Sequence, residues 1–203
     1  MKNVVERSDG RCPWCGDAPD YIEYHDRVWG RPVTDRNELF EKLCLDGQQA
    51  GLSWLTILRK QTGYRQRFEA FQPEALADWG EQQIEAALSD TGIVRNRRKV
   101  EAIVDNARAL LAMEREGGED FSAFLWSFVN DRTLINEFRD VREIPDETAA
   151  SRAMSRALKK RGFRFVGPTI CYAFMQAVGM VNDHLLGCPV REETVAQGRG
   201  VAR

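Results

Sequence analysis

The sequence predicts an all-α fold. Apolar residues recur at the three- and four-residue spacing of buried helix faces along most of the 203-residue chain. No stretch shows the regular alternation of apolar and polar residues that is typical of a half-buried strand. Since 43% of the side chains are hydrophobic, the chain can bury one substantial core or two small ones. We expect residues 1–203 to form a single helical unit.

The N-terminal segment, residues 1–33, lacks this helical spacing. It is rich in Gly, Pro and Asp, and it contains the aromatic residues Trp14, Tyr21, Tyr24 and Trp29. We expect irregular structure here. Because the segment has no apolar face of its own to bury, another part of the chain must hold it in place.

Helices are expected from Asp35 onward. Asp35 and Glu38 have the spacing of a capping box, which predicts a helix over 35–46, and residues 48–54 are expected to form a turn. The other expected helices are a short one through Ile57 and Leu58, a continuation through Tyr64, Phe68 and Phe71, one opened by Pro73, one marked by Ile84, Ala87 and Leu88, a long one from about Arg97 to Gly117–Gly118, and one containing Phe121, Phe124, Leu125 and Phe128.

Residues 151–179 predict a helical hairpin. Its first helix is expected to end at Gly162 and its second to begin at Pro168, which suits a first helical position. Gly167 would leave backbone amides uncovered at a helix N-terminus, where a phosphate can bind. Basic residues surround this point, so the hairpin is either a contact for the DNA backbone or an ordinary hairpin with solubilising charges. These residues are Lys159, Lys160, Arg161 and Arg164.

Overall charge and hydropathy exclude some classes of protein. The formal net charge is −2, so attraction to nucleic acid would depend on local basic patches. No apolar run reaches the roughly 18 residues of a membrane span, and the N-terminus lacks the apolar segment of a signal peptide. We therefore expect a cytoplasmic protein without a membrane partner.

Two of the five cysteines and both histidines suggest a metal site. His184 and Cys188 are four residues apart, a spacing that would place them on one face of a helix. With Cys12 and His25 they form a Cys₂His₂ set suited to one structural zinc ion, which would join segments 1–33 and 180–203. Cys12 and Cys15 form a C-x-x-C pair that could instead complete a Cys₃His site, and a third possibility is that none of these residues binds metal.

Several long stretches resemble a known family. They are Tyr21–Asp26, Trp29–Gly30, Gly47–Trp54, Leu125–Asn130, Lys159–Phe163 and Val181–His184, within a match that extends from Cys12 to Cys188. In these stretches the sequence resembles 3-methyladenine DNA glycosylase I, a family of bacterial helix-hairpin-helix enzymes of base-excision repair. The resemblance implies a helix-hairpin-helix glycosylase fold.

The resemblance also implies roles for particular residues. It favours His25 over Cys15 as the zinc ligand beside Cys12, His184 and Cys188. It implies an aromatic base pocket with a single carboxylate at Asp46, where the family usually has Glu; because Asp is one methylene shorter, we expect a bridging water or a shifted helix end at that position. The aromatic residues of the pocket are Trp14, Tyr21, Tyr24 and Trp54.

The activity implied is hydrolysis of the N-glycosidic bond of 3-methyladenine in alkylated double-stranded DNA, with release of the base, an abasic site and no strand cleavage. The enzyme is expected to act as a monomer near the nucleoid. Leu52 would fill the gap left by the extruded base. The hairpin residues expected to contact the DNA backbone are Arg161, Gly162, Arg164, Gly167 and Thr169.

Three alternatives bear on this assignment. The Asp46 replacement leaves open a zinc-stabilised DNA-binding module without catalysis. A zinc deaminase is disfavoured because Pro13 follows Cys12 and Arg27 stands where a His-x-Glu motif needs its Glu. Asp183, a short way beyond the hairpin, is a rival candidate for the catalytic carboxylate, although the resemblance argues against it.

Overall fold

Helices account for most of the structure, a computed structural model that describes residues 7–201. Within that range the all-α prediction is confirmed. The helices are α1 (Pro19–Arg27), α2 (Arg36–Gln49), α3 (Trp54–Leu58), α4 (Gln61–Arg67), α5 (Pro73–Ala77), α6 (Glu81–Leu88), α7 (Arg97–Gly117), α8 (Phe121–Trp126), α9 (Ala149–Lys160), α10 (Pro168–Ala177) and α11 (Arg191–Arg199). None of the helices in this range has both the length and the apolar character needed to cross a membrane.

The longest helix, α7, organises one half of the core. The Asn96 side chain accepts a hydrogen bond from the Lys99 amide and caps its first turn. Its buried face packs against α2, α5, α6 and α8. On the other side of α2 lies α10, which also packs against α9. As a result α2 is enclosed by helices from both halves, and Leu39, Phe40 and Leu43 are fully buried.

The N-terminal segment is more regular than its composition indicates. The expectation of an irregular 1–33 is wrong for residues 19–27, which form α1; residues 1–6 lie outside the described range. Pro19 occupies a first-turn position and Asp20 adds a favourable negative charge there. Tyr21, Tyr24 and His25 share one face of this helix, so its buried residues are aromatic rather than aliphatic.

Helix α2 continues beyond Asp46, where the sequence predicts its end, to Gln49. Gly47 lets the hairpin pack closely against this last turn of α2, because a Cβ atom at Gly47 would lie 3.1 Å from the Cβ atom of Phe165. The buried Lys99 ammonium donates to the carbonyl oxygens of Gln48 and Ala50, both at 2.7 Å, and so satisfies the helix C-terminus. Asp46 therefore lies within a rigid helix.

A small strand pair departs from the purely helical prediction. The strands β1 (Leu134–Ile135) and β2 (Val181–Asn182) pair in parallel. Their pairing places the residues after α10 next to the connection between α8 and α9. Strands of two residues have no detectable alternation, which explains why the sequence pattern does not indicate them.

The hairpin turn lies where the sequence predicts it, although its first helix ends two residues before Gly162, the expected end. Helix α9 ends at Lys160, Gly162 follows with a φ of +90°, and α10 begins at Pro168. Phe163 is buried, and its ring stacks on that of Phe121 with centroids 5.9 Å apart. This packing fixes the hairpin against the rest of the helices.

Gly179 marks the point where the chain after α10 crosses the N-terminal segment. Its φ is +68°, and a Cβ atom there would lie 2.5 Å from the Arg31 carbonyl carbon and from the Pro32 nitrogen. The Val33 amide donates to the Val178 carbonyl nearby at 3.1 Å. Backbone atoms thus meet without room for a side chain.

We predict that Gly179→Ala lowers the free energy of unfolding much more than Gly118→Ala. Gly118 also has a positive φ, +60°, but a Cβ atom there would meet nothing within 4 Å. The control should lose about 1 to 2 kcal/mol from left-handed strain alone, and Gly179→Ala should exceed it by at least about 2 kcal/mol because backbone must move. Urea unfolding measures the free energy of unfolding of both variants. Equal losses would contradict the close backbone contact at Gly179.

Candidate base pocket and metal centre

The described residues enclose a cavity of about 350 Å³ between α1, α2, α3, α10 and the segment 141–146. All four aromatic residues expected in the base pocket lie on its wall, as does Asp46. The other residues of the wall are Trp29, Lys42, Gln49, Val141, Ile144, Pro145, Asp146, Thr169, Tyr172, Ala173, Gln176 and Ala177.

The aromatic residues form one continuous group. The Trp14 ring meets that of Tyr21 edge-on at a centroid distance of 5.3 Å, and Tyr24 lies 5.3 Å from Trp54. Trp29, which the sequence reasoning leaves out of the pocket, packs edge-on against Trp14 at 4.8 Å. The wall therefore offers several π faces to a flat ligand, each of which attracts a cation.

Asp46 brings a carboxylate into this apolar wall. The residue is 1% exposed, and burial raises the pKa of its carboxyl group. One carboxylate oxygen, Oδ1, accepts a hydrogen bond from the Lys42 ammonium, while Oδ2 is buried without a partner among the described residues. The indole Nε1 of Trp54 is also buried and unpartnered there. An acceptor and a donor are thus left unsatisfied at one cavity.

Lys42 is a neighbour of Asp46 in the cavity wall that the sequence analysis does not name. Its ammonium lies 3.8 Å from the centre of the Trp54 ring as well as against Asp46. Burial lowers the pKa of this lysine. The four-residue spacing from Lys42 to Asp46 along the predicted helix was the available signal, because such pairs lie on one helix face.

A second set of wall residues lies on α10; the sequence does not indicate Tyr172 and Gln176, and it predicts Thr169 only as a DNA contact. Thr169, Tyr172 and Gln176 recur at helical spacing and all line the cavity. The signal was a row of polar side chains on one face of an otherwise apolar helix. The segment 141–146 contributes Ile144 and Asp146 to the same wall.

Asp183 is buried behind this wall rather than in it. It is fully buried, and it accepts hydrogen bonds from Asn136 Nδ2 at 2.7 Å, Tyr172 Oη at 2.6 Å and Gln176 Nε2 at 2.7 Å. Both carboxylate oxygens are therefore occupied. In this geometry Asp183 holds two residues of the pocket wall, and its own oxygens are buried away from the cavity surface.

The four expected metal ligands form one buried cluster. One ligand atom each from Cys12, His25, His184 and Cys188 lies within 4.8 Å of all the others. Cys188 Sγ is 3.5 Å from His25 Nε2 and 3.4 Å from His184 Nδ1, and Cys12 Sγ is 3.8 Å from His184 Nδ1. Ligands of a tetrahedral ion, each about 2.0 to 2.3 Å from it, are about 3.3 to 3.8 Å apart, so this set fits a metal ion.

Hydrogen-bond partners outside the cluster orient the two imidazoles toward the metal position. His25 Nδ1 is 2.7 Å from the Asp26 carboxylate, and His184 Nε2 is 3.2 Å from the Trp29 carbonyl oxygen. Each ring therefore presents its other nitrogen to the cluster, as metal-binding histidines do. Hydrogen bonds from the Cys12 thiol and from both histidines also lower the pKa of the Cys188 thiol, which favours the thiolate that a metal needs.

The helix assumed for His184 and Cys188 is wrong, although their convergence is right. Both residues lie in the loop between β2 and α11, and the Cys188 amide donates to the Leu185 carbonyl at 2.8 Å. A tight turn therefore brings the side chains together. Cys15 is buried beside the cluster, but its thiol is directed to the Cys12 carbonyl oxygen at 3.2 Å and it is not one of the four.

The hairpin residues have partners that the sequence does not indicate. Arg161 forms an ion pair with Glu119 at 2.8 Å and lies over the Phe124 ring, and Arg164 pairs with Asp105 at 2.5 Å. These bonds must be exchanged if the arginines are to bind phosphate.

The second helix of the hairpin begins beside the cavity, because Thr169 lies on the cavity wall. Among the described residues, the backbone amides of Gly167 and Thr169 donate no hydrogen bond, so they are free for an anion. Leu52 is 41% exposed in the turn after α2.

Comparisons with known proteins show which family the chain resembles along most of its length. The family model described as methyladenine glycosylase matches residues 14–192. The chain is 52% identical over 181 residues to DNA-3-methyladenine glycosylase of Haemophilus influenzae, covering 89% of this chain and 97% of the relative. It is 53% identical over 178 residues to DNA-3-methyladenine glycosylase 1 of Escherichia coli, covering 88% and 95%. A structure addressing 3-methyladenine recognition by 3-methyladenine DNA glycosylase I from Staphylococcus aureus superposes with a TM-score of 0.87 at 37% identity, covering 91% and 98%.

We predict that His25→Ala loses the bound metal and that Cys15→Ser keeps it, because His25 directs a ligand atom into the cluster and Cys15 does not. The wild-type protein should contain one metal ion per chain, and elemental analysis of the three purified proteins decides the matter. Metal retained in His25→Ala but lost from Cys15→Ser would establish the Cys₃His arrangement instead.

Proposed function

The chain belongs to the methyladenine glycosylase family, and from this premise we propose that it removes 3-methyladenine from alkylated DNA. The observation that carries the proposal is the aromatic cavity in which one buried carboxylate oxygen of Asp46 has no partner within residues 7–201. A planar, positively charged base with a hydrogen-bond donor matches such a site. The enzyme would act as a cytoplasmic monomer in base-excision repair.

Release of the base needs little help from a general acid. Methylation gives the base a positive charge, so the bond between C1′ of the sugar and N9 of the base is already weak. Water attacks C1′ and forms a C–O bond while the C1′–N9 bond breaks, the bonding electrons neutralise the base, and a proton passes from the water to solvent. The products are 3-methyladenine and an abasic site in an unbroken strand.

The contribution of the protein is therefore selection and charge stabilisation. A base must leave the helical stack to reach the cavity, which favours bases whose pairing is already weakened. Aromatic faces favour a cation by about 0.5 to 2 kcal/mol each. We propose that Asp46 Oδ2 accepts a hydrogen bond from the base, directly or through one water, and that Trp14, Tyr21, Tyr24 and Trp54 enclose its ring.

DNA would approach the side of the molecule that carries the hairpin and Leu52. We propose that the free amides of Gly167 and Thr169 bind a phosphate, and that Gly162 lets the backbone come close. The exposed Leu52 would fill the gap in the duplex.

We propose that the ion held by the Cys₂His₂ cluster is zinc. Two cysteines and two histidines, with no ligand position left for substrate, are typical of a structural zinc site. Zinc bound there would supply folding free energy rather than reactivity. The cluster residues would hold α1 and Trp14 against the pocket.

A DNA-binding module without catalysis is the second candidate. One observation favours it: Lys42 already pairs with Asp46 and balances the charge that would attract a cationic base. The two functions are separated by incubating methylated duplex DNA with the protein and identifying any bases released by chromatography. Release of 3-methyladenine with intact strands supports the glycosylase, and binding without release supports the module.

Substitutions at Asp46 test the role of the carboxylate. We predict that Asp46→Asn slows excision about 10-fold to 100-fold, because a hydrogen bond to a charged group contributes about 1.5 to 3 kcal/mol. Asp46→Glu, which restores the residue usual in the family, should retain or improve the rate. Single-turnover release of 3-methyladenine measures both, with metal content as the control for folding. Equal rates in Asp46→Asn and wild type would remove Asp46 from the mechanism.

Substitutions in the hairpin test its contact with the DNA backbone. We predict that Arg161→Ala and Arg164→Ala weaken binding to all duplexes alike and reduce the slope of log affinity against log salt by about 0.9 for each phosphate that the variant no longer neutralises. Arg36→Ala is the matched control, since Arg36 also pairs with acidic residues but lies at the opposite end of α2 from Leu52. Unchanged slopes in both hairpin variants would place the DNA contact elsewhere.

A further inference from the structure

We propose that Lys42 is a positioning residue for the pocket: it keeps the buried Asp46 carboxylate ionised and fixes its orientation, so that one oxygen stays free for the base. This inference rests on the proposed function, because it assigns a partner to the carboxylate that the function uses. It stands on the geometry of three side chains that line one cavity, Lys42, Asp46 and Trp54.

Two contacts fix the lysine itself. Its ammonium binds Asp46 Oδ1 from one turn earlier on α2 and lies 3.8 Å from the centre of the Trp54 ring. The Lys42 side chain is 12% exposed and that of Asp46 is 2% exposed, so solvent screens the pair little. Because Oδ1 is occupied, rotation of the carboxylate is restricted and Oδ2 remains the unpartnered atom.

The surroundings explain why the carboxylate depends on this one cation. Tyr24 on α1 and Cys171 on α10 face Asp46 from the neighbouring helices, and both are neutral near pH 7, since the ordinary pKa of each lies above 7 and burial raises it further. Glu41 on α2 interacts with Lys42 and stabilises its charge. Among the described groups that interact with Asp46, Lys42 alone is a cation.

An isolated carboxylate in such surroundings takes up a proton rather than remain charged. A protonated Asp46 would neither attract a cationic base nor accept its hydrogen bond with the same strength. Lys42 would therefore determine the pH range in which the pocket works. Its charge also offsets that of Asp46, so the pair attracts a cation through the directed lone pair of Oδ2 rather than through net charge.

The test compares the ionisation of Asp46 in wild type, Lys42→Met and Lys42→Arg. Methionine removes the charge and keeps an unbranched side chain of similar length, whereas arginine keeps the charge. Asp46 is followed by the NMR signal of its carboxyl carbon across pH, assigned by its disappearance in Asp46→Asn. Single-turnover release of 3-methyladenine from methylated duplex DNA is measured over the same pH range.

The carboxyl midpoint in Lys42→Met should shift upward by about 1 to 3 pH units, the usual effect of losing an opposite charge at contact distance. Excision should then be lost at a correspondingly higher pH as the pH falls, because protonation removes the active carboxylate. Lys42→Arg should restore the wild-type midpoint. The double variant Lys42→Met, Asp46→Asn should show no such pH shift.

Lys99→Met is the matched control. It also removes a buried ammonium near the end of α2, but Lys99 donates to backbone carbonyl oxygens and to no carboxylate. Its stability should fall without a change in the Asp46 midpoint. An unchanged midpoint in Lys42→Met, or an equal shift in Lys99→Met, would overturn the proposal. The carbon signal reports on Lys42 even if wild type releases no 3-methyladenine, so failure of the proposed function is distinguished from failure of this inference.

Discussion

The buried Cys₂His₂ cluster is the constraint on which the pocket depends. Trp14, α1 and Trp29 lie close to Cys12 in the sequence, α1 carries His25 of the cluster, and together they contribute much of the cavity wall. This part of the chain buries aromatic rings but few aliphatic side chains, so it has little core of its own. The hydrogen bond that His184 donates to the Trp29 carbonyl oxygen links the cluster directly to the aromatic wall. The cluster and the pocket are thus parts of one folded unit.

We propose that recognition of a charged base depends on a balance between burial and charge in this wall. The aromatic rings exclude water, which strengthens every electrostatic interaction inside and also raises the cost of an unpaired carboxylate. The Lys42 ammonium donates to Asp46 Oδ1, and Oδ2 has no partner among the described residues and stays available to a ligand. The neighbouring carboxylate Asp183 is satisfied on both oxygens by protein groups, and its part is to orient Tyr172 and Gln176. The two buried carboxylates therefore differ in their partners, and we propose that only Asp46 meets the base.

Parts of the fold and of the candidate metal site were predictable from the sequence. The hairpin boundaries followed from Gly162 and Pro168, and the ligand set followed from the chain's two histidines and the resemblance to a family. The prediction that His184 and Cys188 converge is confirmed, but its reason was wrong, since a turn rather than a helix brings them together. Helix α1 was missed because its buried face is aromatic and its composition is typical of loops.

Other features depended on tertiary contacts that no local pattern contains. The partners of Arg161 and Arg164, Glu119 and Asp105, are 42 and 59 residues away in the sequence. The continuation of α2 past Asp46 depends on Lys99 of another helix, which satisfies its last carbonyl groups. Lys42 was overlooked for a simpler reason: a lysine on a helix is usually solvated, and only the fold shows that this one is enclosed.

The most direct test of the account is a crystal structure of the protein with free 3-methyladenine. We predict that the base lies in the 350 Å³ cavity between the aromatic side chains, with one of its nitrogen atoms within hydrogen-bond distance of Asp46 Oδ2 or of a water bound to it. Lys42 should remain on Oδ1 in the complex. A base bound outside this cavity, or bound within it with Oδ2 still unpartnered, would contradict the assignment of the pocket.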